Sequence, residues 1–133
     1  MNIKRVEHIG IVVKSIEEAL PFYNLLGLKV DVTEDLPEPG LKIAFLPVGE
    51  SSLELLQPTK EDNSQGRFLK EKGEGVHHLC LRVEDIDEAI EEVLDAGYQM
   101  VDQTPRPVFG GKARVAFVHP NSTHGVRLEL WEE

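Results

Sequence analysis

Two histidines and two glutamates occupy matched places in this chain of 133 residues. His8 opens an alternating run, Val6-Glu7-His8-Ile9-Gly10-Ile11-Val12-Val13, and His78 opens another, Val76-His77-His78-Leu79-Cys80-Leu81-Arg82-Val83. Glu54 stands between leucines in Leu53-Glu54-Leu55-Leu56, and Glu129 does so in Leu128-Glu129-Leu130-Trp131. Neutral imidazoles and carboxylates are natural co-ligands of a divalent cation, and a carboxylate can also carry a proton. Taken singly, each residue has a plainer reading: His8 as a partly exposed strand histidine, Glu54 and Glu129 as solvated positions on an outer sheet face. The symmetry favours the metal. Two His and two Glu suit an octahedral ion such as Co²⁺, Mn²⁺, Ni²⁺ or Fe²⁺; Zn²⁺ usually takes fewer ligands.

The elements that must position these groups repeat as well. One ungapped offset of 70 positions pairs Val6 with Val76, His8 with His78, Val13 with Val83, Ile16 with Ile86, Ala19 with Ala89 and Gly27 with Gly97. This is the mark of a duplicated module. Each copy opens with a period-two strand. Each continues into a helix with a capping box, Ser15-Ile16-Glu17-Glu18 and Asp85-Ile86-Asp87-Glu88. Apolar stripes follow at helical spacing: Ile16, Ala19, Leu20, Tyr23 and Leu26, then Ile86, Ala89, Ile90, Val93 and Gly97. Gly27 and Gly97 suit a left-handed helix end. Pro21 predicts a kink or an irregular turn.

Strands are expected near 28–33, 41–48 and 53–56, and again near 98–103, 113–118 and 126–131. Proline- and glycine-rich loops fall at Leu36-Pro37-Glu38-Pro39-Gly40 and around Pro105, Pro107, Gly110 and Gly111. The expected fold class is α+β. Two tandem βαβββ modules form a curved, mostly antiparallel eight-stranded sheet around a metal site, in one domain over 1–133. Module one covers about 1–57, a polar linker with a short helix about 58–74, and module two about 75–133. Alternation turns each Glu away from its flanking leucines. If the leucines meet the helices, Glu54, Glu129, His8 and His78 all point into the concavity.

A net charge of -10 repels phosphate backbones and anionic membrane surfaces, so neither nucleic acid nor membrane is expected as a partner. An anionic small substrate is still compatible, because a metal dominates its own pocket. The lone Cys80 allows no intrachain disulfide. With no apolar run of membrane-spanning length and no signal-peptide pattern, a cytoplasmic location is expected. Cys80 reads as a packing residue, His77 as facing away from His78, and His119 as a structural residue at a strand end.

These motifs resemble the vicinal-oxygen-chelate superfamily, which includes glyoxalase I, the methylmalonyl-CoA epimerases, extradiol dioxygenases and antibiotic-resistance proteins. Within it, Gly75-Val76-His77-His78-Leu79 and Phe117-Val118-His119-Pro120 followed by Gly125-Val126-Arg127-Leu128-Glu129 look like the epimerases. The resemblance implies metal ligation by His8, Glu54, His78 and Glu129, with Co²⁺ favoured. It implies an isomerase that interconverts the (2R) and (2S) forms of methylmalonyl-CoA, with Glu129 and Glu54 as catalytic carboxylates, an acyl-CoA substrate and a homodimer. One departure stands out. Some epimerases carry a second catalytic Glu at the position that is Ile43 here, and Ile cannot move a proton. Lys112, Arg114 and Arg106 are candidates for the CoA moiety, with solvated surface charge an equal reading. A glyoxalase-I-type lactoylglutathione lyase would use the same four donors. A non-catalytic small-molecule-binding member of the fold would need no metal.

Overall fold

The computed structural model describes every residue, Met1–Glu133. Its elements follow the order β1 (Ile3–Val12), α1 (Ile16–Leu25), β2 (Val32–Leu36), β3 (Leu41–Val48), β4 (Ser51–Pro58), α2 (Ser64–Lys72), β5 (Gly75–Val83), α3 (Ile86–Asp95), β6 (Arg106–Val108), β7 (Ala113–Val118) and β8 (Leu128–Glu132). The pattern is βαβββ twice, with α2 between the copies, and the class is α+β. Two compact units partition the chain: His8–His77, and Met1–Glu7 together with His78–Glu133.

In the unit His8–His77 the strand order is β2-β3-β4-β1. β2 with β3 and β3 with β4 are antiparallel, and β4 lies parallel to β1. Period-two alternation gives the layer two apolar faces. On one, Val13, Ala44, Leu46 and Leu55 take the α1 stripe Ile16, Ala19, Leu20 and Tyr23. On the other, Val12, Leu41, Ile43 and Leu56 take Phe45 and, from α2, Phe68 and Leu69. The α2 helix is held by its cap: Asn63 accepts from Gly66 N at 2.7 Å and donates to the carbonyls of Pro39 and Gly40. Gly66 is required there, since a Cβ would stand 2.1 Å from the Lys60 carbonyl oxygen.

The second unit has the order β1-β5-β8-β7-β6. Again the first and last strands of the module, β5 and β8, are parallel, and β7 pairs antiparallel with both β8 and β6. Ile86, Ala89 and Ile90 of α3 pack on Val83, Ala116, Val118 and Leu130. Each buried Val, Leu or Ile side chain among them contributes about 1.5–3 kcal/mol by leaving water. Cys80, Ala113, Val115 and Trp131 form the opposite face.

Helix ends follow the sequence closely. Ser15 and Asp85 accept from the amides of Glu18 and Glu88 at 3.2 and 3.0 Å. Gly27 and Gly97 have φ of 88° and 90°. Leu28 N and Tyr98 N then return to the carbonyls of Tyr23 and Val93, a Schellman closure in each copy. Long-range capping repeats too: Gln57 accepts from Ile16 N at 2.9 Å and Glu132 from Ile86 N at 2.8 Å. α1 contains Pro21 without a break, so no irregular turn interrupts it there. Two expectations need correction. The strand expected near 28–33 begins only at Val32, because 26–28 close the helix. The strand expected near 98–103 reduces to a bridge from Met100 to Val118. There Asp102 takes the Phe117 amide with its side chain at 2.8 Å, so a carboxylate stands where a ladder carbonyl would. The ladder forms at β6 instead, where Pro107 sits on an edge strand.

Candidate functional site

Each module builds the same imidazole–carboxylate pair. In the unit His8–His77, β1 and β4 run parallel with Gly10 opposite Glu54 and His8 opposite Ser52. Gly10 places no side chain opposite Glu54, whose Oε2 lies 2.8 Å from His8 Nδ1. In the other unit β5 and β8 repeat the register, with Cys80 opposite Glu129. His78 Nε2 stands 3.5 Å from Glu129 Oε1. The two contacts use different ring nitrogens, and Cys80 stands where the first copy has Gly10. A Cys80 Sγ within 4.8 Å of a Glu129 carboxylate oxygen adds a third polar group to that pair.

All four residues are buried: His8 4%, Glu54 9%, His78 7% and Glu129 8% exposed, and the buried polar residues of the chain are these and His77. The flanking leucines behave as alternation requires. Leu53 and Leu55 pack under α1, and Leu128 and Leu130 with the α3 cluster, so both glutamates face the opposite side. A buried carboxylate is costly unless paired. Each pair supplies an imidazole nitrogen and a carboxylate oxygen side by side, a donor set that fits a borderline divalent ion. Each can equally pass a proton between its members.

Surroundings differ between the pairs. Glu54 is opposite Phe45 on β3 and shares its face with Leu56, Val12 and Ile43. Glu129 is opposite Phe117 on β7, whose ring meets His78 edge-on at 6.2 Å between centroids. Trp131, next on that face, stacks obliquely with Phe109 at 5.8 Å. Arg82 is engaged by Glu133 at 3.1 Å and Glu7 at 3.9 Å. The CoA candidates are mostly occupied. Arg114 binds Glu132 and Asp87 at 2.6 and 3.0 Å; its hydrogen bond to Glu132, then that to Asp87, raises its pKa further. Arg106 pairs with Asp102 at 3.1 Å. Lys112 is exposed.

Two residues gain weight beyond their sequence reading. His77 is buried, with Nε2 3.0 Å from Ser64 Oγ and its ring against Phe68 at 5.2 Å, which ties β5 to the first turn of α2. Cys80 is a packing residue, fully buried, and also the cross-strand neighbour of Glu129. Its signal was present in the sequence: by the repeat it matches Gly10. His119 is structural as expected, its Nδ1 accepting from Asn121 N at 3.1 Å in the turn after β7.

The family model for the glyoxalase/bleomycin resistance protein/dioxygenase superfamily matches residues 7–117. The chain belongs to this superfamily. A Bacillus halodurans protein of undescribed activity shares this superfamily member's fold with a TM-score of 0.91 and 46% identity, covering 100% of this chain and 96% of its own. A structure of methylmalonyl-CoA epimerase in complex with methylmalonyl-CoA and NH4+ aligns with a TM-score of 0.88 at 34% identity, covering 99% and 96% of the two chains. From Cereibacter sphaeroides, a protein named ethylmalonyl-CoA/methylmalonyl-CoA epimerase is 34% identical over 96% of this chain and 97% of its own. No helix of this superfamily member is long and apolar enough to cross a membrane.

Proposed function

We propose that this superfamily member is a metal-dependent epimerase of methylmalonyl-CoA. The reading is carried by the duplicated buried His–Glu pair. Similarity over nearly the full length to epimerases of this substrate supports it. In this reading His8, Glu54, His78 and Glu129 are the divalent-metal ligands, Co²⁺ first among the candidates and Mn²⁺, Ni²⁺, Fe²⁺ or Zn²⁺ as alternatives. When bound, the ion supplies positive charge against the negative charge that develops on the thioester oxygen.

The chain's own residues do the proton work. Glu129, loosened from the ion, takes the C2 proton from one face and leaves an enolate, and Glu54, the candidate partner, returns a proton to the other once it too has left the ion and carries a proton. The imidazole beside each carboxylate helps to orient it. Burial strengthens these contacts and keeps water from competing. The protein is proposed to act on an acyl-CoA as a homodimer in the cytoplasm.

The test is isotopic. Protein stripped of metal and reloaded with Co²⁺ or Mn²⁺ is mixed with one epimer of methylmalonyl-CoA in D₂O. Metal-dependent loss of stereochemical purity with deuterium at C2 is expected. No exchange with any metal overturns the reading. Conversion of the methylglyoxal–glutathione hemithioacetal in its place would make the same donors those of a lactoylglutathione lyase.

A further inference from the structure

The Glu54 side carries a feature that the reaction alone does not demand. β3 presents Leu41, Ile43, Phe45 and Pro47 at alternate positions, and none of them can ionise. Register sets Phe45 opposite Glu54 and Ile43 opposite Leu56, so Ile43 is the diagonal neighbour of Glu54 on the same face. Its own neighbours in sequence, Ala44 and, two further on, Leu46, lie in the cluster beneath α1 and Val13 or are fully buried. Ile43 is 7% exposed. Val12, Leu41 and Leu56 surround it, and Phe68 and Leu69 of α2 pack against the same cluster. The carboxylate joined to His8 therefore borders a continuous hydrocarbon wall, backed by a helix whose cap is fastened to the Pro39 and Gly40 carbonyls.

We infer that Ile43 is a specificity-determining residue that packs against the alkyl substituent at C2 of the substrate. The inference rests on the proposed epimerase reading, in which Glu54 works at C2. A branched, buried hydrocarbon beside the proton carrier favours an alkyl group there over a charged or hydroxylated one, which would lose its water without a partner. It also sets the size of that group. A methylene received in an apolar pocket is worth about fourfold in binding, and a wall that excludes it discriminates by roughly 10-fold or more.

The experiment compares methylmalonyl-CoA with ethylmalonyl-CoA in the metal-loaded wild type, Ile43→Val and Ile43→Ala. Ile43→Val removes one methyl and keeps the branched, strand-compatible shape, so it guards against a fold lost in Ile43→Ala. The expected result is a graded rise in the ethyl-to-methyl ratio of kcat/KM, about threefold for Val and on the order of 10-fold for Ala. KM for the methyl substrate should rise more than kcat falls. Wild type active on methylmalonyl-CoA with a ratio unchanged in both variants overturns the role of Ile43 and leaves the epimerase reading standing. Wild type inactive on both substrates overturns the epimerase reading and the inference with it.

Discussion

Glu54 and Glu129 differ in what stands across the strand from them: a glycine with no side chain for the first, a cysteine for the second. Glu54, opposite Gly10, lies 2.8 Å from His8 Nδ1, whereas Glu129, opposite Cys80, lies 3.5 Å from His78 Nε2. Replacing either carboxylate by an amide keeps its volume and a hydrogen bond to the imidazole but removes the proton carrier. Glu129→Gln should therefore fold normally and lose C2 deuterium exchange by about 10²-fold or more. Metal content, measured alongside, separates lost proton transfer from lost ligation. Glu129→Gln with full metal and undiminished exchange would remove Glu129 from the mechanism. Glu54→Gln, read the same way, reports on the opposite face.

The helix α2 shows how an element is placed by a few close contacts. Its Asn63 cap grips the turn before β3, Ser64 reaches His77 at the start of β5, and Phe68 and Leu69 cover the wall that borders Glu54. Gly66 lets the helix start against the Lys60 carbonyl. Alanine normally favours a helix over glycine by about 1 kcal/mol. Here the sign should invert: Gly66→Ala should destabilise by roughly 1–3 kcal/mol, since backbone must shift to admit the methyl. Urea unfolding decides it, and an unchanged or higher midpoint would show that α2 is not held as tightly as the 2.1 Å approach requires. Much of this was hidden in the sequence. Residues 58–74 read as a polar linker with a short helix, because the Phe68-Leu69 pair is too brief a stripe to announce a partner. His77, assigned away from His78, is claimed by α2 through Ser64.

At the scale of the molecule, burying His8, Glu54, His78 and Glu129 is an expense to folding that a bound cation would offset. If the four-ligand reading holds, chelation should lower Tm, and Co²⁺ at a hundred times its Kd should restore about 2.7 kcal/mol. For a chain of this length that is a shift on the order of 10 °C. Calorimetry on stripped and reloaded protein measures it, and a Tm indifferent to every divalent ion tried would count against metal ligation by these residues. The duplication, the strand phases, both helix caps and their glycine ends, and the buried side of every site residue were determined by the sequence itself. All of these follow from along-chain periods and local hydrogen bonds, which single segments specify. Pairing did not follow from them. The parallel register that sets Gly10 and Cys80 opposite the glutamates was decided by tertiary structure. So was the placing of the ladder at β6 rather than at 98–103, where the Asp102 side chain accepts from the Phe117 amide. Both depend on which distant backbone groups meet, and a residue's own neighbours in sequence carry no record of that.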